Sequence, residues 1–375
     1  MMFLAYTGIF IIAGCPSAVT YVSMLENSLM GCPALFVSNG IFSEKFDSVQ
    51  YMRITLWAAD ASVAVDNFQY YSLVKMIDGY ENAAPESCAG RRTNKLIDGY
   101  RLLQVSREAL KRMQAWGFMY QMTGNDKYYT RAMADLDAIC AFSDWHPEHF
   151  LDTAEMMTAA AVGYDWFYER MTTSQRGKLA EQIIKKGLEP TRLAYYGRLN
   201  TGGIAGPSMN FVMASNNMNI VDNCGAIVAA TAVFEQNPKL CSDVIEKAVR
   251  SLDYSLSAFA PDGAWEEGIN YWIYSMEYLT RAICALDITF GSDFGLSEYE
   301  GLDTAAAWAV SLDAYNGVNS YHDTWDGMRL DTFALAGLGK IYGADALSPG
   351  AVVEISSLQI SENPSGKPAV YDSKS

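Results

Sequence analysis

"MNIVDNCGAIVAATAVFEQNPKLCSDVIEKAVRSLDYSL", residues 218–256, carries two helices of opposite character in a single stretch. Residues 218–234 are apolar or small nearly all round, the pattern of a helix buried on most sides. In 239–256 the apolar positions Leu240, Val244, Ile245, Ala248, Val249, Leu252 and Leu256 recur at helical spacing, while Lys239, Asp243, Glu246, Lys247 and Arg250 fill the other face. That is a one-sided surface helix. Asn237 and Pro238 between them are a helix-start signal, a capping side chain followed by a residue suited to the first turn.

The same alternation extends in both directions. Upstream lie a helix at 107–121, a striped one at 127–142, a buried one at 151–167 ("LDTAEMMTAAAVGYDWF") and a striped one at 174–196 with Leu179, Ile183, Ile184 and Leu188 on its stripe. Thr172, Thr173 and Ser174 supply caps for the last. Downstream come a buried helix at 271–288, a striped one at 302–315 and a smaller apolar one near 330–342. No strand pattern is legible before about residue 350, where "VVEISSLQI" reads as one strand. The alternation predicts an all-α fold, an incomplete (α/α) double toroid of inner and outer helices. A helical solenoid also alternates, but its repeats are shorter and more uniform.

The chain has 375 residues, half of them apolar, enough for a large core. Its net charge of −16 excludes a general nucleic-acid binder, which needs a basic surface. Residues 3–14 form an apolar run too short to span a bilayer, and the run resembles the core of a secretion signal. "IAGC" at 12–15 resembles a bacterial lipobox, which would place a lipid anchor on Cys15, although no Lys or Arg precedes the run. The expected organisation is a signal or lipoprotein segment and linker at 1–32, the helical domain at 33–345 and a tail at 346–375. The expected location is outside the cytoplasm, as a periplasmic or cell-surface lipoprotein. None of the seven Cys has zinc-type spacing, and neither a metal nor a cofactor is expected.

In a double ring every outer-to-inner connection falls on one rim. The segments selected by that geometry are 97–107, 143–150 ("SDWHPEHF"), 206–217 ("GPSMNFVMASNN"), 261–270 ("PDGAWEEGIN") and 316–327 ("NGVNSYHDTWDG"). They hold all three His (His146, His149 and His322) together with Trp145, Trp265 and Trp325. Long polar and aromatic loops on a rigid scaffold are where binding groups are expected. Each candidate has a structural alternative. Tyr271 either packs or is aimed at substrate. Asn216, Asn217 and Asn219 either cap a helix or contact a ligand. Glu267 either braces its loop or meets substrate, His149 either caps 150–166 or approaches the ligand, and Arg107 is either a subsite cation or half of an ion pair.

Several ordered segments resemble the heparinase II/III-like polysaccharide lyases: "HFLDTAEMMTAAAVGYDWFYERMT", "SNNMNIVDNCG", "FAPDGAWEEGINYWIY", "GSDFGLSE" and, earlier, "LLQVSREALKRMQAWGFMYQMTGNDKYYTRA", with "PALFVS" (33–38) as a weaker match. The resemblance covers roughly residues 95–345. It implies an incomplete α/α toroid followed by a β-sandwich, and β-elimination on uronic-acid-containing polysaccharides. Too few residues follow 345 for a sandwich, so the toroid is expected without it. By motif position the resemblance implies Tyr271 as base and acid, and Asn217, 54 residues earlier, as the group that neutralises the substrate carboxylate. His322 is expected to stand in for a His that relatives draw from the sandwich. His149, Asn216, Asn219, Trp265, Glu267, Trp272 and Arg107 are expected to shape the sugar subsites. Two departures matter. Met218 replaces a Trp of the family motif, and Asn217 stands where some relatives carry His, which leaves a Tyr-only syn elimination. A Tyr acting as base needs a cation or a helix N-terminus nearby, because its ordinary pKa is about 10. The rival readings are a toroid glycoside hydrolase using Glu267 with Asp323, and a non-catalytic or truncated saccharide-binding relative.

Overall fold

Burial divides the helices into two kinds. A computed structural model describes residues 102–199, 211–314, 317–318, 321–324, 330 and 332–343, all within one compact unit. Helix α1 is Leu103–Thr123, α2 Asp126–Cys140, α3 Phe150–Trp166 and α4 Thr173–Ile183. A π-helical turn at Ile184–Leu188 joins α4 to α5, Glu189–Tyr195. Then follow α6 at Asn217–Ala232, α7 at Pro238–Leu256, α8 at Ile269–Phe290, α9 at Ala305–Ser311 and α10 at Thr332–Tyr342. All 17 residues of α3 are buried, and in α6 every residue except Met218. In α7 burial follows one stripe, which runs through Val244, Ala248 and Leu252.

The helices α1, α3, α6, α8 and α10 pack side by side in that order, and α2, α4 and α7 pack against α1, α3 and α6 respectively. The described part is therefore a mostly helical, two-layered structure, as the alternation predicts. Gly225 marks the closest approach within the inner row: a Cβ there would lie 2.9 Å from the Ala154 carbonyl oxygen of α3. The row also bends. Axes packed at 8–10 Å would hold α1 and α8, three steps apart, about 24–30 Å from each other in a straight row. Yet the Arg107 guanidinium of α1 lies 5.2 Å from the centre of the Tyr274 ring of α8.

Local signals act as read at two starts. Thr172 forms a full capping box with Gln175, and Asn237 caps α7 with Pro238 in its first turn. Three details differ from the sequence reading. The helix expected as continuous over 174–196 is interrupted by the π turn, which buries Lys186 so that its ammonium donates to the carbonyls of Cys140 and Phe142 at the end of α2. The helix expected over 302–315 is shorter, because a two-residue antiparallel pair, β1 Asp313–Ala314 with β2 Gly317–Val318, follows it. On α7 the buried seam includes Cys241, Ser251 and Ser255 and leaves Leu240 and Val249 half-exposed. The reason lies in the segment before α6: the Ser251 hydroxyl donates to the Val212 carbonyl, and that of Ser255 to the carbonyls of Ala214 and Asn216. The signal segment, Cys15, the strand after 350 and Trp325 lie outside the described residues.

Candidate functional site

The starts of the inner helices are tied in two pairs, α1 with α3 and α6 with α8. The Leu102 N–H, just before α1, donates to Asp152 Oδ2 in the first turn of α3 at 2.5 Å, and the Ser106 hydroxyl donates to the Asp152 carbonyl at 2.7 Å. The Asn217 N–H, at the first residue of α6, donates to Glu267 Oε2 at 2.6 Å, just before α8. Within each pair the helices thus run parallel with their N-termini together. Their dipoles place partial positive charge at that end.

Asn217 and Glu267 are joined twice, since Asn217 Nδ2 also donates to Glu267 Oε1 at 2.8 Å. Burial raises the Glu267 pKa, and Asp323 adds to the rise, while the Asn217 donors and the nearby Trp265 indole oppose it. Tyr271 follows four residues later, half-buried in the first turn of α8. The Glu267–Tyr271 turn needs Gly268, which has φ 85° and no room for a side chain: a Cβ would lie 2.4 Å from Thr324 Oγ1 and 2.7 Å from the Tyr321 carbonyl oxygen. That close approach brings in loop 321–324. The Tyr321 hydroxyl donates to the Trp265 carbonyl at 2.5 Å. His322 stands on this loop with φ 50°, its side chain 52% exposed and 3.6 Å from Asp323. The structure therefore gathers Asn217, Glu267, Tyr271 and the loop of His322.

A second cluster adjoins the first along α8, because Tyr274 is one turn below Tyr271. Arg107 Nε donates to Glu155 Oε1 at 3.0 Å, and the Tyr274 hydroxyl donates to the same oxygen. Burial works against the Arg107 charge, but Glu155 and Tyr274 more than offset it and hold its pKa above the ordinary value. The Arg107 side chain is 39% exposed, so this paired cation is still partly open to solvent. Neither Tyr274 nor Glu155 is among the candidates that the sequence singles out. The i, i+3 spacing of Tyr271 and Tyr274 was the available signal.

Asp152 organises the third part. It accepts from Leu102 N–H, His146 Nδ1 at 2.6 Å and His149 Nδ1 at 3.2 Å. Burial alone would raise its pKa; the His146, His149 and Leu102 donors override burial and bring it down to about 2. His146 is buried and held at φ 62°, a left-handed conformation that costs a non-glycine residue about 1–2 kcal/mol. His149 is the residue before α3 but caps it with no side-chain hydrogen bond, so its ring serves Asp152. A depressed acid stabilises the fold above its unfolded pKa and loses that contribution as pH falls through the folded one. The stability advantage of the wild type over Asp152→Asn is therefore expected to shrink by about 2 kcal/mol as pH falls from about 4 to about 2, measured by urea unfolding.

Asp222 of α6 is the opposite case. It is fully buried, neither oxygen has a hydrogen-bond partner, and burial with the neighbouring Asp152 and Glu155 carboxylates raises its pKa well above the ordinary 3.8. An acid with a raised folded pKa destabilises the fold as pH rises above its unfolded value. Asp222→Asn is expected to be more stable than wild type, by a margin that widens from about pH 4 upward. Thermal melts across that range measure it.

Several expected subsite residues have other work. Trp265 is 2% exposed and stacked on Phe259 at 4.5 Å; Trp272 is fully buried and lies 6.2 Å from Trp308. Neither offers an open face to a sugar, because core packing occupies both. Asn219 is fully buried, and its Nδ2 donates to the Phe211 carbonyl and to Ser251. Asn216 Oδ1 caps α6 by accepting the Met218 N–H at 3.1 Å. Glu267 binds Asn217 with both oxygens and so braces that residue. Among the described residues no His, Cys, Asp and Glu cluster could hold a metal ion, and no helix is long and apolar enough to cross a membrane. No family model matches the chain, and no curated protein matches it significantly.

Proposed function

We propose that the chain is a polysaccharide lyase of the heparinase II/III-like kind that cleaves uronic-acid-containing polysaccharide by β-elimination. The observation that carries this reading is the double tie between Asn217 and Glu267, which sets the head of α6 against the turn that starts at Glu267 and delivers Tyr271. The bent inner row with its outer layer supports an incomplete α/α toroid. The gathered helix N-termini and the half-open Arg107 support binding of an anionic sugar by a chain of net charge −16. Export, with a lipid on Cys15, belongs to the same proposal.

The chemistry follows from the residues. Asn217 Nδ2 donates to the carboxylate on C5 and draws charge toward it, which acidifies the C5 proton. The Tyr271 oxygen, as phenolate, takes that proton. Electrons of the C5–H bond form the C4–C5 double bond, the C4–O4 bond breaks, and Tyr271 returns the proton to O4. No water is consumed. Tyr271 sits in the first turn of α8, where the helix N-terminus favours a negative charge, and His322 stands at the exposed edge of the same site. A hydrolase built on Glu267 and Asp323 is disfavoured, because Asn217 occupies both Glu267 oxygens. Purified protein incubated with alginate, heparan sulfate and other uronate polymers is expected to generate the absorbance of a C4–C5 double bond on at least one of them. Glycan binding with no such absorbance on any polymer would instead support the non-catalytic reading.

A further inference from the structure

Glu267 commits both carboxylate oxygens to Asn217. An ionised carboxylate only accepts hydrogen bonds, whereas an amide has a donor end and an acceptor end. Only the nitrogen end of the Asn217 amide can therefore face Glu267. A half-turn of the amide would set Oδ1 against Oε1, acceptor on acceptor. In the observed orientation Oδ1 is enclosed by protein and has no hydrogen-bond partner. Nδ2 carries two hydrogens, and Glu267 takes one of them. The other is left as a fixed donor on a residue that is only 6% exposed.

We infer that Glu267 is a positioning residue: it locks the Asn217 amide with its nitrogen toward the substrate carboxylate and links that donor to the turn bearing Tyr271. The inference rests on the reading of Asn217 as the carboxylate-binding group. It also identifies what Asn217 recognises: an acceptor, such as a carboxylate oxygen, and not a hydroxyl that must donate. Negative charge grows on the carboxylate as the C5 proton leaves, so a donor held there strengthens in the transition state and acts mainly on kcat. A Glu267 that merely braced its loop would act on stability instead.

Two measurements on the full chain decide the matter. In protein labelled with nitrogen-15 asparagine, the Asn217 side-chain pair is assigned as the signal lost in Asn217→Ala. Glu267→Gln is expected to shift that pair and speed its hydrogen exchange, and an unchanged pair would overturn the lock. In kinetics on a uronate polymer, Glu267→Gln is expected to lower kcat about tenfold, the effect of one lost hydrogen bond, with little change in KM. Glu267→Gln added to Asn217→Ala is expected to lower kcat no further. A rise in KM alone, or full additivity of the two changes, would overturn the inference. If the wild type cleaves no uronate polymer, the functional reading fails on its own, and the amide signals still decide whether Glu267 locks Asn217.

Discussion

Tyr271→Phe is expected to lower kcat/KM on the preferred uronate polymer by about a thousandfold or more. General acid–base groups contribute about 10² to 10⁴ in rate, and here one hydroxyl is asked to take the C5 proton and return it to O4. A thousandfold loss corresponds to about 4 kcal/mol of transition-state stabilisation. The substitution removes one oxygen and keeps the ring, and Tyr271 is only half-buried, so the melting temperature is expected to stay within a few degrees of wild type. Substrate binding is expected to persist, because Asn217, Arg107 and the loop of His322 are untouched. Steady-state rates, a thermal melt and equilibrium binding of an oligosaccharide measure the three quantities. Retained turnover would remove Tyr271 from the chemistry.

Asp135→Ala is expected to lower stability by about 3–5 kcal/mol, the largest loss foreseen for a single side chain in the described residues. Asp135 is 1% exposed on α2 and accepts from Trp116 Nε1 at 3.0 Å, with Arg112 Nη1 at 3.2 Å and Arg131 Nη2 at 3.3 Å. Burial raises its pKa, and the Trp116 hydrogen bond and the two guanidinium groups oppose the rise. Removing the carboxylate takes a buried acceptor from Arg112, which is 3% exposed and also pairs with the half-exposed Glu108. Removing one partner of a buried ion pair is the costly change. Chemical denaturation measures the loss. A change under 1 kcal/mol would mean that the pair contributes little.

Element type and order were legible because burial and periodicity are the same information seen twice. The all-round apolar α3 and α6 could only be interior, and the one stripe of α7 could only be a cover. Where polar groups make tertiary bonds, the pattern misled. Ser251 and Ser255 read as surface residues, yet they lie in the seam because their hydroxyls hold the chain before α6. Within the site, the place of Asn217 and Tyr271 in the first turns of α6 and α8 followed from the order of the helices. The fates of the neighbouring residues did not. Nothing in "GAWEEGINYW" distinguishes a Trp that stacks on Phe259 from one that faces a sugar, because both uses favour a large flat ring. Likewise Glu155, an acid within the otherwise apolar α3, gains its role only when the row bends and carries Tyr274 of α8 to it.

The central claim is elimination, and the fate of water separates it most directly from hydrolysis. Purified protein is incubated with its preferred uronate polymer in heavy-oxygen water, and the products are weighed by mass spectrometry. The proposed function predicts unsaturated products with no heavy oxygen at the new ends. One heavy oxygen per cleaved bond, with no double bond formed, would contradict it.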